Sequence, residues 1–386
     1  MKKLLTLAAV ICLAVFAGGA AAAAAEGIAT EDRMLALGNS SLCFPAVAGM
    51  EDAALQETVN GRIVEDLRVN EYLQRMNALI SDETLRITVT WDGGVLGDVF
   101  SGRLYAEGAL KGPRSGSEWT WSSVDLRDGH AIALGELFAD GEAAREAIET
   151  LLEETVAPEL SPHLENSALT PLPEGFLLER TGLTLLYDAD QLKTLRDRAG
   201  AVKIGWNEIR EAADWSEDGI PARIGAAEMV TLTADSVPKI REMTESGQLP
   251  DLPVKIGDSV KEWTDRLHTL DDPEEYTGGR MFTLEGAAFR DVYLLSDAVS
   301  SGWEESRVQG IRTDRGCVWG LCIGETEAEA WHLLLGEPDN TAVFDAEAAE
   351  LARTVPGTCD YYQFGDYRLQ LQADEEGILR SITLAE

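Results

Sequence analysis

The sequence predicts an α+β fold in which an N-terminal helix lies on an antiparallel sheet and tandem small modules follow, each setting a helix against antiparallel strands. Three observations predict it. Apolar residues recur every four positions at Leu55, Val59, Ile63 and Leu67, the period of a helix with one buried stripe. They alternate at two-residue spacing in Leu85 to Trp91 and around Leu177, Leu183, Leu185, Val202 and Ile204, the period of half-buried strands. Finally, Lys255-Ile256-Gly257-Asp258-Ser259 returns as Cys322-Ile323-Gly324-Glu325-Thr326, a weak internal repeat in which Ser or Thr would cap a following helix.

From the N-terminus, Met1 to about Ala25 reads as a secretory signal: Lys2 and Lys3, an apolar run from Leu4 to Phe16, then an alanine tract. Export of the mature chain is the expectation. No later stretch reaches the ~18 apolar residues of a membrane span, so no transmembrane segment is expected after cleavage. Residues 26–41 read as a polar lead-in. A helix is predicted from Asp52 to Ala78, broken near Val69. Strands follow at Leu85 to Trp91 and Val95 to Tyr105, turned by Asp92-Gly93-Gly94, and at Trp119 to Leu126 before a tight turn at Arg127 to His130. Glu142 to Val156 reads as an acidic helix, and Pro158, Pro162, Pro171 and Pro173 confine the next region to loops. Phe176 to Ile209 then reads as a closing three-stranded sheet. The expected divisions are a domain at 42–212 whose helix packs on a sheet that includes Val202 to Trp206, a connector at 213–252, and modules at 253–314 and 315–386.

The 386 residues, 45% hydrophobic and 26% charged, suffice for two or three cores. With 68 acidic against 32 basic residues, the formal charge of −36 excludes nonspecific nucleic-acid binding and leaves simple solubility or a basic partner. Beyond Cys12 in the leader, Cys43, Cys317, Cys322 and Cys359 allow three full pairings, and free thiols or one bridge are the expectation. No obligatory bridge is predicted, and Cys322 with Cys359 would be the first pair to suspect. The Cys317-x4-Cys322 spacing lacks a second pair, so no zinc site is read from it.

Phe44-Pro45, Val47, Gly49-Met50 and the helix with Val59-Asn60 are followed by Val124-Asp125-Leu126, Gly129, Leu134 and Leu137-Phe138. Phe176 and Gly182-Leu183-x-Leu185-x-Tyr187 complete an ordered set. Over residues 42–212 this set resembles a family of extracytoplasmic bacterial domains found in lysozyme-sensing anti-sigma factor ectodomains and ahead of a peptidoglycan deacetylase domain. Members commonly carry Tyr-x-Gly-Gly-Ala-His after the second strand. This chain has Leu104 to Lys111 there without a histidine, so that segment's role does not carry over. Gly336-Glu337-Pro338, Gly365-Asp366 and Glu376-Gly377 make the last module similar to those of envelope assembly lipoproteins and a beta-lactamase inhibitory protein, which implies protein binding.

No reactive constellation stands out. His130, His163, His268 and His332 are scattered without metal-ligand spacing, Asp214 to Gly219 does not continue into a calcium loop, and Thr277-Gly278-Gly279-Arg280 is too short for a phosphate loop. Catalytic residues, metal ligands and cofactors are therefore not assigned. Trp119 and Trp121 share one strand face and are the candidates for stacking on a glycan, with core packing as the alternative use. The expected function is that of a secreted, noncatalytic cell-envelope protein binding an extracellular protein or peptidoglycan. The alternative is a cell-wall polysaccharide hydrolase using a carboxylate pair that the sequence does not single out. Acidity and resemblance together imply lysozyme as a partner to test.

Overall fold

The computed structural model describes residues 27–110, 116–156, 164–167, 169–188, 191–194, 200–267, 274–276, 279–283, 292–296 and 305–386. The predicted leader, His163, His268 and Thr277-Gly278 lie outside the described residues. The lead-in contains a strand: β1 (Ala29–Leu37) pairs antiparallel with β2 (Ser40–Ala48). As an edge strand it is mostly exposed and carries no apolar alternation to reveal it.

Helix α1 (Ala53–Asp66) is capped by Asp52, whose carboxylate accepts from the Ala54 and Leu55 amides. The predicted break falls at Arg68, held at a left-handed φ of 53°, before α2 (Val69–Leu79). This two-helix crossover returns the chain beside β2, so β3 (Ile87–Leu96) pairs with it in parallel. The sheet is therefore mixed, not purely antiparallel as expected. β4 (Val99–Gly108) and β5 (Gly116–Asp125) complete the order β1-β2-β3-β4-β5. The β3–β4 turn lies at Gly97-Asp98, and the predicted turn residues Asp92-Gly93-Gly94 continue β3. Gly93 allows close strand approach, because a Cβ there would stand 2.3 Å from the Ser101 carbonyl oxygen.

Asp140 caps α3 (Gly141–Leu151), which ends where a π-helical turn begins. β6 (Leu164–Ser167) pairs with β9 (Leu192–Thr194), while β7 (Gly175–Leu178), β8 (Gly182–Leu186) and β10 (Ala201–Gly205) form a separate antiparallel sheet ordered β10-β8-β7. Val202 and its neighbours thus belong to this second sheet, correcting the expectation that they join the sheet under α1. The two sheets meet face to face, and Leu178 donates its amide to Ser101 Oγ at 2.8 Å. Val59, Ile63 and Met76 pack with Phe100 and Leu104 on one side of the first sheet. Ile148, Leu183, Ile204 and Trp206 make a second core beyond the other.

Residues 213–252, expected as a connector, bridge two cores. Ile220, Ile224 and Ala226 from two single-turn helices enter the second core, and Ile240 and Met243 from α4 (Ser236–Ser246) enter a third. That third core lies under one eight-stranded sheet. After α5 (Val260–Leu267) come β11 (Glu274–Tyr276), β12 (Gly279–Thr283), β13 (Val292–Ser296) and β14 (Gly310–Thr313). A hairpin, β15 (Cys317–Val318) and β16 (Leu321–Cys322), leads to α6 (Ala328–Leu335). β17 (Asn340–Phe344), α7 (Ala346–Leu351), β18 (Gly357–Phe364), β19 (Tyr367–Ala373) and β20 (Leu379–Ala385) end the chain. The order β11-β12-β13-β14-β20-β19-β18-β17 reads as two mirrored sets of four, joined where β14 pairs antiparallel with β20. Each repeat thus brings its helix and four strands, but the strands share one sheet.

Ser259 meets the Glu262 amide at a long 3.5 Å, and Thr326 does not cap α6 at all. Its hydroxyl accepts from the Cys322 amide and donates to the Gly320 carbonyl instead. The bridge is Cys317–Cys322, not Cys322 with Cys359, because Trp319 and Gly320, both at positive φ, make a two-residue turn that sets the cysteines opposite each other. Cys43 and Cys359 lie outside this bridge.

Two stability tests follow. Gly97 has a φ of 59°, and a Cβ there would lie 2.3 Å from the Arg223 carbonyl oxygen. Gly97→Ala is expected to lower the unfolding free energy by roughly 2–3 kcal/mol. Gly94→Ala, with nothing within 4 Å, should stay within about 0.5 kcal/mol of the parent in the same urea titration. Replacing Cys317 and Cys322 together by alanine is expected to cost about 2 kcal/mol through the chain entropy of a short loop.

Candidate binding site

Strand alternation sorts the eight-stranded sheet into two unlike faces. Phe282, Leu294, Ile311, Leu384, Leu369 and Tyr362 sit side by side on consecutive strands and are buried against α4, α5 and α6. One residue along each strand, the outer face carries a matching row of Tyr293, Arg312, Thr383, Gln370 and Tyr361. Ser381, Gln372 and Cys359 form a second outer row. This polar face is not simply solvated: Arg312 is 9%, Thr383 7%, Ser381 4% and Gln372 4% exposed.

All of these but Tyr293 floor a cavity of about 380 Å³, with Met281, Leu295, Phe344 and Leu351 among its apolar walls. Arg312 is neutralised by a two-point pair with Asp314, Nε to Oδ1 at 2.5 Å and Nη2 to Oδ2 at 2.7 Å, while Nη1 donates to the Arg353 carbonyl. Burial raises the Asp314 carboxyl, an effect the Arg312 charge opposes. Burial also pushes the Cys359 thiol up to about 11 and the Tyr361 phenol up to about 12, so both are neutral at physiological pH. Gln372 donates to the Val355 and Ala373 carbonyls. Among the described residues no hydrogen bond engages the Gln370 carboxamide or the Ser381 and Thr383 hydroxyls, all of which line the cavity. The chemistry on offer is neutral hydrogen bonding beside apolar surface.

The two tryptophans singled out in the sequence have different surroundings. Trp119 is 6% exposed, with its ring centroid 4.6 Å from that of Tyr105 and the buried Arg103 guanidinium 4.8 Å from its ring. Trp121 rests on Gly175, where a Cβ would meet the indole at 2.6 Å, and is half-buried. With Asp66, Arg68, Ser122 and Ser123 it lines a groove of about 230 Å³ along β5. Burial raises the Asp66 carboxyl, against a hydrogen bond from Ser122 that lowers it.

Carboxylates that converge elsewhere are engaged in ion pairs. Asp125, Asp128 and His130 come within metal-ligand reach of one another. However, Asp125 already receives Arg127 Nη2 and Arg223 Nη1, each at 2.8 Å, and the two guanidinium charges occupy the role a cation would have. His130 lies between Asp128 and Glu136, which raise its pKa, the Asp128 hydrogen bond foremost. His332 meets the buried Asp360 at 2.6 Å beside the Trp331 indole N–H. Where the second sheet meets the C-terminal part, Glu179, Lys203, Thr181 and Asp251 line a crevice of about 40 Å³. Burial raises Glu179, opposed by Lys203 at 3.5 Å. A void of that size holds a few waters, not a sugar ring.

The outer row was missed as a site because Arg368, Gln370 and Gln372, like Ser381 and Thr383, alternate with leucine and isoleucine and so read as an ordinary solvent face. Side chains from the first repeat and from α7, whose arrival sequence periodicity does not carry, cover Gln372, Ser381 and Thr383, whereas Arg368 stays exposed.

No protein-family model matches the sequence, and no curated protein matches it. Among solved structures the chain is similar to a DUF3298 family member from Bacteroides fragilis, with 14% identity, a TM-score of 0.36, and coverage of 50% of this chain and 94% of that one. A DUF3298 family protein from Pseudomonas aeruginosa is similar at 12% identity and a TM-score of 0.34, over 48% and 94% of the two chains. A DUF4309 family protein from Bacillus subtilis is similar at 14% identity and a TM-score of 0.28, over 40% and 97%. Among the described residues no helix is long and apolar enough to cross a membrane.

The Asp125 cluster gives a pH prediction. Burial alone would raise Asp125, but the hydrogen bonds from Arg127 and Arg223 outweigh it and hold the carboxyl well below the usual carboxylate range. A depressed folded value means the contribution is complete above the unfolded value and is lost as pH falls through the folded one. Asp125→Asn should therefore be less stable than the parent at neutral pH, with the gap narrowing below pH ~4 as the carboxyl of the unfolded parent binds a proton that the folded one still refuses. Melting temperatures measured from pH 7 to pH 2 check it. A constant gap would contradict the assignment.

Proposed function

We propose that this is an exported bacterial cell-envelope protein that binds a protein or cell-wall glycan ligand without transforming it. The observation that carries the reading is the cavity on the outer sheet face, where three neutral polar groups without a hydrogen-bond partner among the described residues converge between apolar walls. The leader-like sequence at residues 1–25 supports export, and the motif resemblance over residues 42–212 supports the envelope. The hydrolase alternative lacks comparable support: Asp92, Glu179 and Asp251 meet in a crevice too small for substrate, and among the described residues Asp66 alone supplies a carboxylate to the Trp121 groove. The half-buried Trp121, which lines a groove, supports glycan stacking better than the buried Trp119 does.

The mature protein is expected to sediment with purified peptidoglycan, or to be retained by an envelope protein, and to release no sugars. Released reducing sugars or altered muropeptides would overturn the noncatalytic reading. Lysozyme belongs in the same series. The −36 charge steers basic proteins toward the chain at low salt, so only a complex that persists at ~0.15 M salt, where the Debye length is ~8 Å, would mark lysozyme as a specific ligand.

A further inference from the structure

Granted the binding reading above, we infer that the cavity on the outer face of the eight-stranded sheet takes a neutral N-acetylated amino sugar. Its volume of about 380 Å³ lies in the range of small-ligand sites. Its charge pattern narrows the class. Arg312 is cancelled by Asp314, and the Cys359 thiol and Tyr361 phenol are neutral. A phosphate, a free carboxylate or an ammonium ion would enter without a counter-charge and lose its hydration uncompensated.

The hydrogen-bonding pattern narrows it further. Gln370 and Thr383 are directly opposite on neighbouring strands, and Ser381 lies two residues from Thr383 on the same face. Side chains so related lie about 5–7 Å apart, the span of one sugar ring. The Gln370 carboxamide offers one donor set and one acceptor, as an acetamido group does, and the two hydroxyls both donate and accept, as ring hydroxyls do. A purely apolar ligand would leave all three unpaired. The walls then decide between sugars: Met281, Leu295, Phe344 and Leu351 offer apolar surface that an acetyl methyl and a ring C–H face would cover. A sugar bearing only hydroxyls keeps the C–H face but lacks the acetyl methyl, and would cover less of it.

The test uses the mature full chain. N-acetylglucosamine trimer is titrated by calorimetry against the deacetylated trimer and against cellotriose, with Gln370→Met and Thr383→Val as variants that keep side-chain volume. Slow alkylation of Cys359 at about pH 9, where a small fraction of its raised thiol is ionised, read by peptide mapping so that Cys43 is counted separately, reports occupancy of the cavity itself. The expectation is binding of the acetylated trimer, at least tenfold weaker binding of both controls and of either variant, and protection of Cys359. Binding indifferent to the variants, or without protection of Cys359, would place the sugar elsewhere and overturn the inference. A chain that sediments with envelope or is retained by an envelope protein, yet ignores the trimer, also overturns it while the broader binding reading stands. A chain that binds none of these defeats both.

Discussion

The antiparallel pairing of Gly310–Thr313 with Leu379–Ala385 is the constraint on which the C-terminal half depends. Without it each repeat would be a four-stranded sheet with a free edge at its last strand, and a helix and four short strands bury little apolar surface alone. With it, the row from Phe282 to Tyr362 becomes continuous across six strands and the core closes against three helices. Because side chains alternate with period two, the register that aligns this apolar row also aligns the outer polar row. A slip of one residue at the seam would bury Arg312 and Thr383 among leucines. Core and candidate site therefore share one register.

The disulfide-closed hairpin between the repeats fixes how the C-terminal part meets the rest. Gly320 donates to the Met229 carbonyl at 2.7 Å, and a Cβ there would lie 2.2 Å from the Leu232 backbone, so only glycine fits. Trp319 places its ring 5.6 Å from the Arg180 guanidinium and 4.9 Å from the Lys239 ammonium. Arg315 pairs with Glu208, Arg210 with Glu325 and Arg180 with Asp251. Of the three, Arg210–Glu325 is exposed at both partners and contributes little by itself. The value of the three pairs here is positional, since they surround a hairpin whose shape the two-residue turn already sets.

How much of this was legible in the sequence depended on where the determining physics lay. The α1–α2 break and the strands of β7, β8 and β10 were readable, because spacing and glycine placement are local signals. The β3 turn was misplaced because Asp-Gly-Gly has strong turn chemistry, yet here tertiary packing demanded a glycine inside the strand, where Ser101 comes close. β1 was missed because an edge strand with one partner need not alternate. Thr326 matched a capping pattern, but the hairpin claimed its hydroxyl first. The candidate site was invisible for a related reason: Gln370, Ser381 and Thr383 of one repeat look like any solvent face until Met281, Leu295 and Arg312 of the other repeat, with Phe344 and Leu351, wall the space beside them.

The charge distribution separates two kinds of recognition. Several of the 32 basic residues are spent inside the fold, where Arg103, Arg223, Arg312 and Arg315 face carboxylates at low exposure. Each takes a carboxylate with it, so the net −36 is unchanged, but the surface left to solvent is more uniformly acidic than the composition suggests. Its field reaches about a Debye length and selects by sign, so it governs which macromolecules approach. The cavity, by contrast, holds a cancelled ion pair and neutral donors and acceptors, whose reach is a hydrogen bond. Salt would weaken the first and leave the second nearly untouched, which is how an encounter driven by charge is distinguished from a ligand held by shape and hydrogen bonds.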